Sequence, residues 1–256
     1  MAPVLLSTPA LVISTSQLGE SDLLVTLFSL KAGKLKAVAK GAKRSKKRFM
    51  NALEPFTEII ASLAKSRPQA MWRLDSVSIS DNHETIRADY PRFVLGNLCL
   101  ELIDLWHKEE VQDRNAFDLT RWYLAMLGTS RSPLETSLIF QTRLLKHAGL
   151  LPELTVCSSC GNVPATGPVC YARGTGEIFC RECKNDRPGS LSLGTLRCLE
   201  FLSSAEFANI DRLRLASWQL VEGWHYIKHL HCHHLGREPV SYRFVEIDNK
   251  KQRVNA

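Results

Sequence analysis

Four cysteines carry the sharpest chemical pattern in the chain. Cys157-Ser-Ser-Cys160 and Cys180-Arg-Glu-Cys183 are two C-x-x-C pairs separated by nineteen residues. Two such knuckles at this separation can offer four thiolates to a single Zn2+ in a tetrahedral set with no coordination position left for water, which is the chemistry of a structural site rather than a catalytic one. The stretch between them is poor in large apolar side chains and holds Gly161, Gly167, Gly174 and Gly176, which suit the turns of a zinc ribbon. A segment with so little to bury needs an organiser, and structural zinc contributes about 10–16 kcal/mol of apparent binding free energy to folding. The other cysteines, Cys99, Cys170, Cys198 and Cys232, are scattered. Cys170 could substitute as a ligand but has no partner at knuckle spacing, and the set as a whole reads as metal ligation plus buried thiols rather than a disulfide framework.

A second set is cationic. Lys31 to Arg48 contains nine Lys or Arg and no acid, densest from Gly41 to Arg48. Lys34, Lys36, Lys40, Lys43, Arg44, Lys46, Lys47 and Arg48 are the candidate phosphate contacts, since each neutralised phosphate releases condensed counterions and makes binding fall steeply with salt. A solvated charge run kept for solubility is the plainer alternative. Phe28, Phe49, Phe56 and Trp72 have ring faces on which bases could stack, although aromatic residues in strands more often belong to the core.

Chemistry requiring turnover finds little support. His107-Lys108-Glu109 with Cys157 to Cys160 matches the elements of a zinc nucleobase deaminase, but Val156 stands where that signature needs proline, and Cys180 and Cys183 would be left unexplained. There is no Walker A sequence and no G-x-S-x-G elbow. His229, His231, His233 and His234 beside Cys232 could hold a second metal, but at a helix end a polar face interacting with the dipole is the commoner arrangement.

These residues must be positioned by elements that the patterning outlines. With 256 residues and 45% hydrophobic content, the chain is long enough for two domains with their own cores. Its net charge of +7 is uneven: residues 1–83 carry twelve Lys or Arg against six Asp or Glu, so nearly the whole excess lies in the N-terminal third. Such a field attracts polyanions, nucleic acid ahead of membrane because no amphipathic basic helix accompanies it. No apolar run approaches a membrane span, and Met1 to Leu6 lacks the marks of a signal peptide, so the expected location is the cytoplasm.

Five short strands are expected at Ala10–Ser14, Asp22–Ser29, Lys34–Lys40, Phe56–Leu63 and Met71–Ser80, with Gly33 in a tight hairpin turn. In the last, apolar alternation slips by one residue between Leu74 and Val77, as at a β-bulge. Five strands in about eighty residues with basic loops fit an OB-like barrel; an SH3-like barrel or an open sheet has the same periodicity. From Arg92 the period changes to three or four, with Val94, Leu98, Leu102 and Leu105 on one stripe. Ser132-Pro133-Leu134-Glu135 reads as a capping box opening a helix that Gly149 ends. A last helix is expected over Asp211–Leu235, with Leu213, Ala216, Leu220, Trp224 and Ile227 facing the core.

Three stretches, taken together, resemble the RecO family of bacterial recombination mediators. The first runs from Leu11-Val12-Ile13 through Gly19-Glu20-Ser21-Asp22, Leu27-Phe28, Gly33-Lys34 and Ala39-Lys40-Gly41-Ala42-Lys43 to Leu53-Glu54-Pro55-Phe56. The second runs from Phe140 through Arg143-Leu144-Leu145 and Gly149-Leu150-Leu151-Pro152 into Cys157-Ser-Ser-Cys160-Gly161, and the third, weaker, from His229-Leu230 to Gly236-Arg237 and Ser241. The resemblance implies an α+β multidomain protein: an N-terminal OB-fold β-barrel over 1–82, a mostly α-helical domain over 83–155 and 187–240 with a zinc ribbon inserted at 156–186, and a basic tail at 241–256 that holds Lys250, Lys251 and Arg253. It implies a non-enzymatic, nucleoid-associated activity: binding single- and double-stranded DNA, annealing complementary strands and, with RecR, loading RecA on DNA coated by the single-stranded-DNA-binding protein SSB, whose C-terminal tail is a further partner. Cys157, Cys160, Cys180 and Cys183 match the family's zinc-ligand positions. A zinc-containing protein adaptor without DNA affinity is the competing expectation.

Overall fold

A computed structural model describes residues 3–45, 47–67, 69–183, 189–207 and 214–247. The chain divides into two compact units, Met1–Ser130 and Arg131–Ala256.

In the first unit five strands, β1 (Val4–Leu18), β2 (Asp22–Ser29), β3 (Gly33–Ala39), β4 (Glu58–Lys65) and β5 (Trp72–Asp81), close into a barrel in the order β1-β2-β3-β5-β4. All neighbours are antiparallel except β3 and β5, which pair in parallel through Ala37↔Trp72 and Val38↔Arg73. This is the OB arrangement, and the SH3-like and open-sheet alternatives fall away. Closure depends on β1, which serves two partners: Val4 to Leu11 pair with β4 and Ala10 to Leu18 with β2, with a register shift between Val12 and Ser14. That double duty makes β1 fifteen residues long where five were expected. Its outer parts are polar or proline-containing (Ser7-Thr8-Pro9, Ser14 to Gln17) and so lack the alternation of a half-buried strand. The bulge expected in β5 is present: Leu63 faces Leu74 and Ser62 faces Ser76, leaving Asp75 as the extra residue.

The barrel interior is filled by Ala10, Val12, Val25, Leu27, Leu35, Ile59, Leu63 and Leu74 among others. Phe28 sits outside that cluster, its ring 4.9 Å from His107 and 5.9 Å from Phe117. It packs toward the helical part of this unit, which comprises α1 (Glu84–Ala88), α2 (Tyr90–Trp106) and α3 (Arg114–Thr129). Asp89 and Asp113 cap α2 and α3, accepting from Arg92 N and Ala116 N. The barrel and these three helices together make up the compact unit that ends at Ser130.

The second unit contains α4 (Pro133–His147), a small sheet of β6 (Val169–Tyr171), β7 (Ile178–Phe179) and β8 (Gly189–Leu191) in the order β7-β6-β8, then α5 (Leu193–Ser204) and α6 (Ser217–Leu235). Helix α4 opens after Ser132 with Pro133 in its first turn, as the sequence indicated. Glu135, however, does not complete a capping box; its carboxylate accepts from Leu215 N at 3.1 Å. Gly149 follows α4 with φ +70, and Leu150 N donates back to Leu145 O, which ends the helix in a left-handed turn. Helix α6 starts at Ser217, not Asp211. Ala216 is its exposed cap residue, and Val221, Trp224, Ile227 and Leu230 form the buried stripe. The backbone N–H of Ala216 is taken by the Gln219 side chain, which fixes the start. Asp211 and Leu213 lie outside the described residues, as do Lys250, Lys251 and Arg253.

Candidate metal centre and nucleic-acid interface

Both C-x-x-C pairs converge. The sulfurs of Cys157, Cys160, Cys180 and Cys183 lie within 4.8 Å of one another, with Cys160 Sγ to Cys180 Sγ at 3.9 Å. A tetrahedral ion with bonds of about 2.3 Å to sulfur sets neighbouring sulfurs about 3.8 Å apart, so the four positions fit such an ion. Each knuckle is shaped by backbone bonds: Gly161 N donates to Cys157 O and Cys183 N to Cys180 O, and Gly161 adopts the φ of +74 that its turn requires. Ser158 N donates to Ile178 O, which ties the first knuckle to the strand that leads into the second. Burial pushes the Cys157 thiol up, but backbone N–H groups of Cys180, Cys160 and Ser159 directed at its sulfur outweigh this and bring it down to about 6. Those donors favour the thiolate that a metal needs. Cys183 moves the other way, to about 12, because hydrogen bonds with the Cys180 and Cys160 sulfurs hold its proton.

Cys170 is outside this cluster, in β6 between Phe179 and Ser190. His107 is not among the clustered ligands; its Nδ1 faces Ile103 O at the end of α2, and Glu109 pairs with Lys36. The ribbon docks on α6 through aromatic and small residues. The Tyr226 hydroxyl donates to Gly176 O at 2.7 Å, and the Tyr171 and Tyr226 rings meet edge-on at 5.0 Å. A Cβ at Gly176 would lie 2.4 Å from Leu230 Cδ2, which explains why that turn is glycine. Two histidines of α6 serve this packing, His229 with Nε2 on Arg173 O and His233 with its ring against Gly174, whereas His231 is fully buried with Nε2 3.2 Å from Gln141 O of α4. Among the described residues they form no metal-ligating group.

The candidate phosphate contacts separate into two groups. Lys34 is largely buried, and its ammonium pairs with Asp104 Oδ1 at 3.2 Å and donates to Asp104 O at 2.5 Å. Lys36 pairs with Glu109 at 2.7 Å, and that carboxylate is what raises the lysine above its ordinary value. These two face the segment after α2, which runs along β3 with Glu110 N donating to Lys34 O. Lys65 completes the latch, pairing with Glu110 at 2.5 Å and lying 4.5 Å from the centre of the Trp72 ring. The acids Asp104, Glu109 and Glu110 are distant in sequence from the lysines they meet, so sequence spacing gave no sign of the pairing.

Lys40, Lys43, Arg44, Lys47 and Arg48 are all exposed, and none forms an ion pair among the described residues; Lys46 lies outside them. The loop that bears them is nonetheless well anchored. Gly41, with φ +66, donates its N–H to Asp22 Oδ1 at 2.8 Å, and this bond is the main reason the Asp22 carboxyl is lowered. A 3-10 turn at Ala42–Arg44 follows, and Lys43 N donates to Ser21 O in the β1–β2 turn. Ala42, Phe49, Ala52 and Leu53 plug into the barrel core, so the cations stand on a loop whose apolar residues are nailed down. Arg48 donates to Lys40 O at 2.9 Å and lies 5.0 Å from the centre of the Phe49 ring. The four aromatic rings considered for stacking, Phe28, Phe49, Phe56 and Trp72, are all buried, the most accessible at 7%.

Two family models match this chain, Recombination protein O N terminal over residues 1–83 and Recombination protein O C terminal over residues 87–243. The chain belongs to the RecO family. It is similar to proteins named DNA repair protein RecO over most of their length: 33% identical over 230 residues to that of Anaeromyxobacter dehalogenans, covering 89% of this chain and 91% of the relative. The protein of that name from Desulfatibacillum aliphaticivorans is 31% identical over 253 residues, covering 96% and 97%. That of Myxococcus xanthus is 34% identical over 174 residues, covering 68% and 70%. Within this chain the junction of the two family models, between residues 83 and 87, falls at the start of α1, while the compact unit continues to Ser130. The four-cysteine cluster falls inside the C-terminal model. No helix among the described residues is long and apolar enough to cross a membrane.

Proposed function

We propose that this RecO-family chain is a DNA repair and recombination mediator that works by holding and pairing strands rather than by a covalent reaction. The observation that carries this reading is the anchored basic loop: five exposed cations that form no ion pair among the described residues, fixed to the end of an OB barrel by residues buried in its core. Positive charge presented in this way binds phosphate with no internal carboxylate to displace first, unlike Lys34 and Lys36, whose charge is already met by Asp104 and Glu109. The proposed DNA site is therefore Lys40, Lys43, Arg44, Lys46, Lys47 and Arg48.

Two complementary strands repel each other through their phosphates, and a compact cluster of cations that contacts both at once lowers that repulsion. Annealing of single strands and affinity for the duplex product then have one physical cause. The names of the relatives support a role in DNA repair; cooperation with RecR and the SSB tail, loading of RecA, and association with the nucleoid extend the reading by family resemblance.

We further assign Zn2+ to Cys157, Cys160, Cys180 and Cys183. Bound there, the ion supplies a structural crosslink. Gly176 and Tyr226 then hold the ribbon against α6.

The test is annealing of complementary oligonucleotides coated with SSB, at several salt concentrations, comparing wild type with a variant carrying alanine at Lys43, Arg44, Lys46 and Lys47. Salt-sensitive annealing that the variant loses, with fold and metal retained, supports the reading. A wild type that binds partner proteins tightly yet neither binds nor anneals DNA would establish the adaptor instead.

A further inference from the structure

A loop that holds only phosphates cannot distinguish a strand with its bases exposed from any other polyanion. Non-specific recognition of single strands ordinarily combines cations with apolar or planar side chains against the bases. The four aromatic residues of the barrel segment, Phe28, Phe49, Phe56 and Trp72, are buried and cannot supply that contact. Met50, immediately beyond the cations, is 62% exposed.

Its exposure is built in. Phe49 and Ala52 are both buried, and Ala52 N donates to Phe49 O at 3.2 Å, closing a four-residue turn with Met50 and Asn51 at its corner. Asn51 takes a φ of +55, as the third residue of a type II turn must, and asparagine tolerates this better than most side chains. With both ends of the turn set in the core, Met50 is held out from the barrel rather than folded down. On the other side of Phe49, Arg48 is held in place by the Lys40 carbonyl.

We propose that Met50 is a base-contacting residue, an apolar tip that lies against unstacked bases of a single strand whose phosphates the neighbouring cations hold. Thioether sulfur is polarisable and makes favourable contacts with aromatic rings, and an unbranched side chain adapts to any base, so the contact is sequence-tolerant. It adds a component of binding that does not involve counterion release and persists at high salt. This inference rests on the assignment of the basic loop as the DNA site.

The experiment measures affinity across a salt series for wild type, Met50→Ala and Met50→Leu. Each is tested on an oligothymidylate and on an abasic deoxyribose-phosphate strand of equal length, with a Lys43→Ala, Arg44→Ala, Lys47→Ala variant alongside. Met50→Ala is expected to weaken binding to oligothymidylate by about three- to tenfold at every salt concentration. It leaves the salt slope and the affinity for the abasic strand unchanged, and Met50→Leu restores most of the loss. Equal affinity of Met50→Ala and wild type for oligothymidylate overturns the inference, as does an equal loss on both strands, which would mean that the residue only shapes the loop. If removing the three cations leaves affinity for both strands intact, the placement of the DNA site fails instead, whatever Met50 does.

Discussion

Gly33 meets two demands at one position. Its φ of +65 lies in the left-handed region, and a Cβ there would stand 1.8 Å from Val111 O, on the segment that latches along β3. Gly33→Ala should destabilise the first unit by about 2 kcal/mol or more, because the added methyl meets backbone rather than a side chain that can swing away. A lowered urea midpoint would register this, and an unchanged midpoint would mean that the 109–111 segment is not seated there. His231 makes a prediction of a different kind. Burial lowers it to about 3 from an ordinary 6.5, so between those values the unfolded chain binds a proton that the folded chain refuses. Its contribution to stability is intact above pH 6.5 and is lost progressively as pH falls from there toward 3. His231→Gln should flatten the stability-against-pH curve of the second unit in that window, as read by denaturant melts from pH 7 to pH 4.

At the level of elements, sequence reasoning succeeded where a pattern is local. The β2 limits, the β5 bulge, the turn at Gly33, the start of α4 and the cysteine knuckles each follow from a few neighbouring residues. It failed where a distant partner decides. β1 is long because β4 pairs with a half of it that has no alternation. Glu135 leaves its capping box for Leu215 N, and α6 begins late because Gln219 takes the Ala216 N–H. In the proposed basic site, ion pairing sets two of the lysines apart from the rest. A run of nine cations looks uniform in one dimension, yet Asp104 and Glu109 claim Lys34 and Lys36 from the far side of about seventy residues. Alanine at Lys34 and Lys36 should therefore cost stability while leaving DNA affinity near that of wild type, whereas alanine at Lys43, Arg44 and Lys47 should do the reverse. Parallel melting and DNA-binding measurements on the two variants distinguish the outcomes. At the knuckles, Cys157→Ser with Cys160→Ser should abolish binding of about one metal ion per chain and loosen the ribbon, visible as lost metal content and as new proteolytic cleavage between residues 157 and 183.

Across the whole molecule, two compact units carry the two chemistries. The barrel unit contains the basic loop and the second unit contains the four cysteines. Metal removal should then be local in effect: a strong chelator is expected to melt the ribbon and weaken the second unit while the barrel keeps its fold and its affinity for DNA. A chelator that abolished DNA binding together with the barrel's β-sheet signal would contradict that division. The placement of DNA on the anchored loop is tested most directly by the salt dependence of single-strand affinity in wild type and in the Lys43, Arg44, Lys46, Lys47 alanine variant. Wild-type affinity should fall steeply with salt, and the variant should bind more weakly with a slope shallower by about 0.7 for each phosphate contact removed. An unchanged affinity and slope in the folded variant would place the DNA elsewhere on the protein.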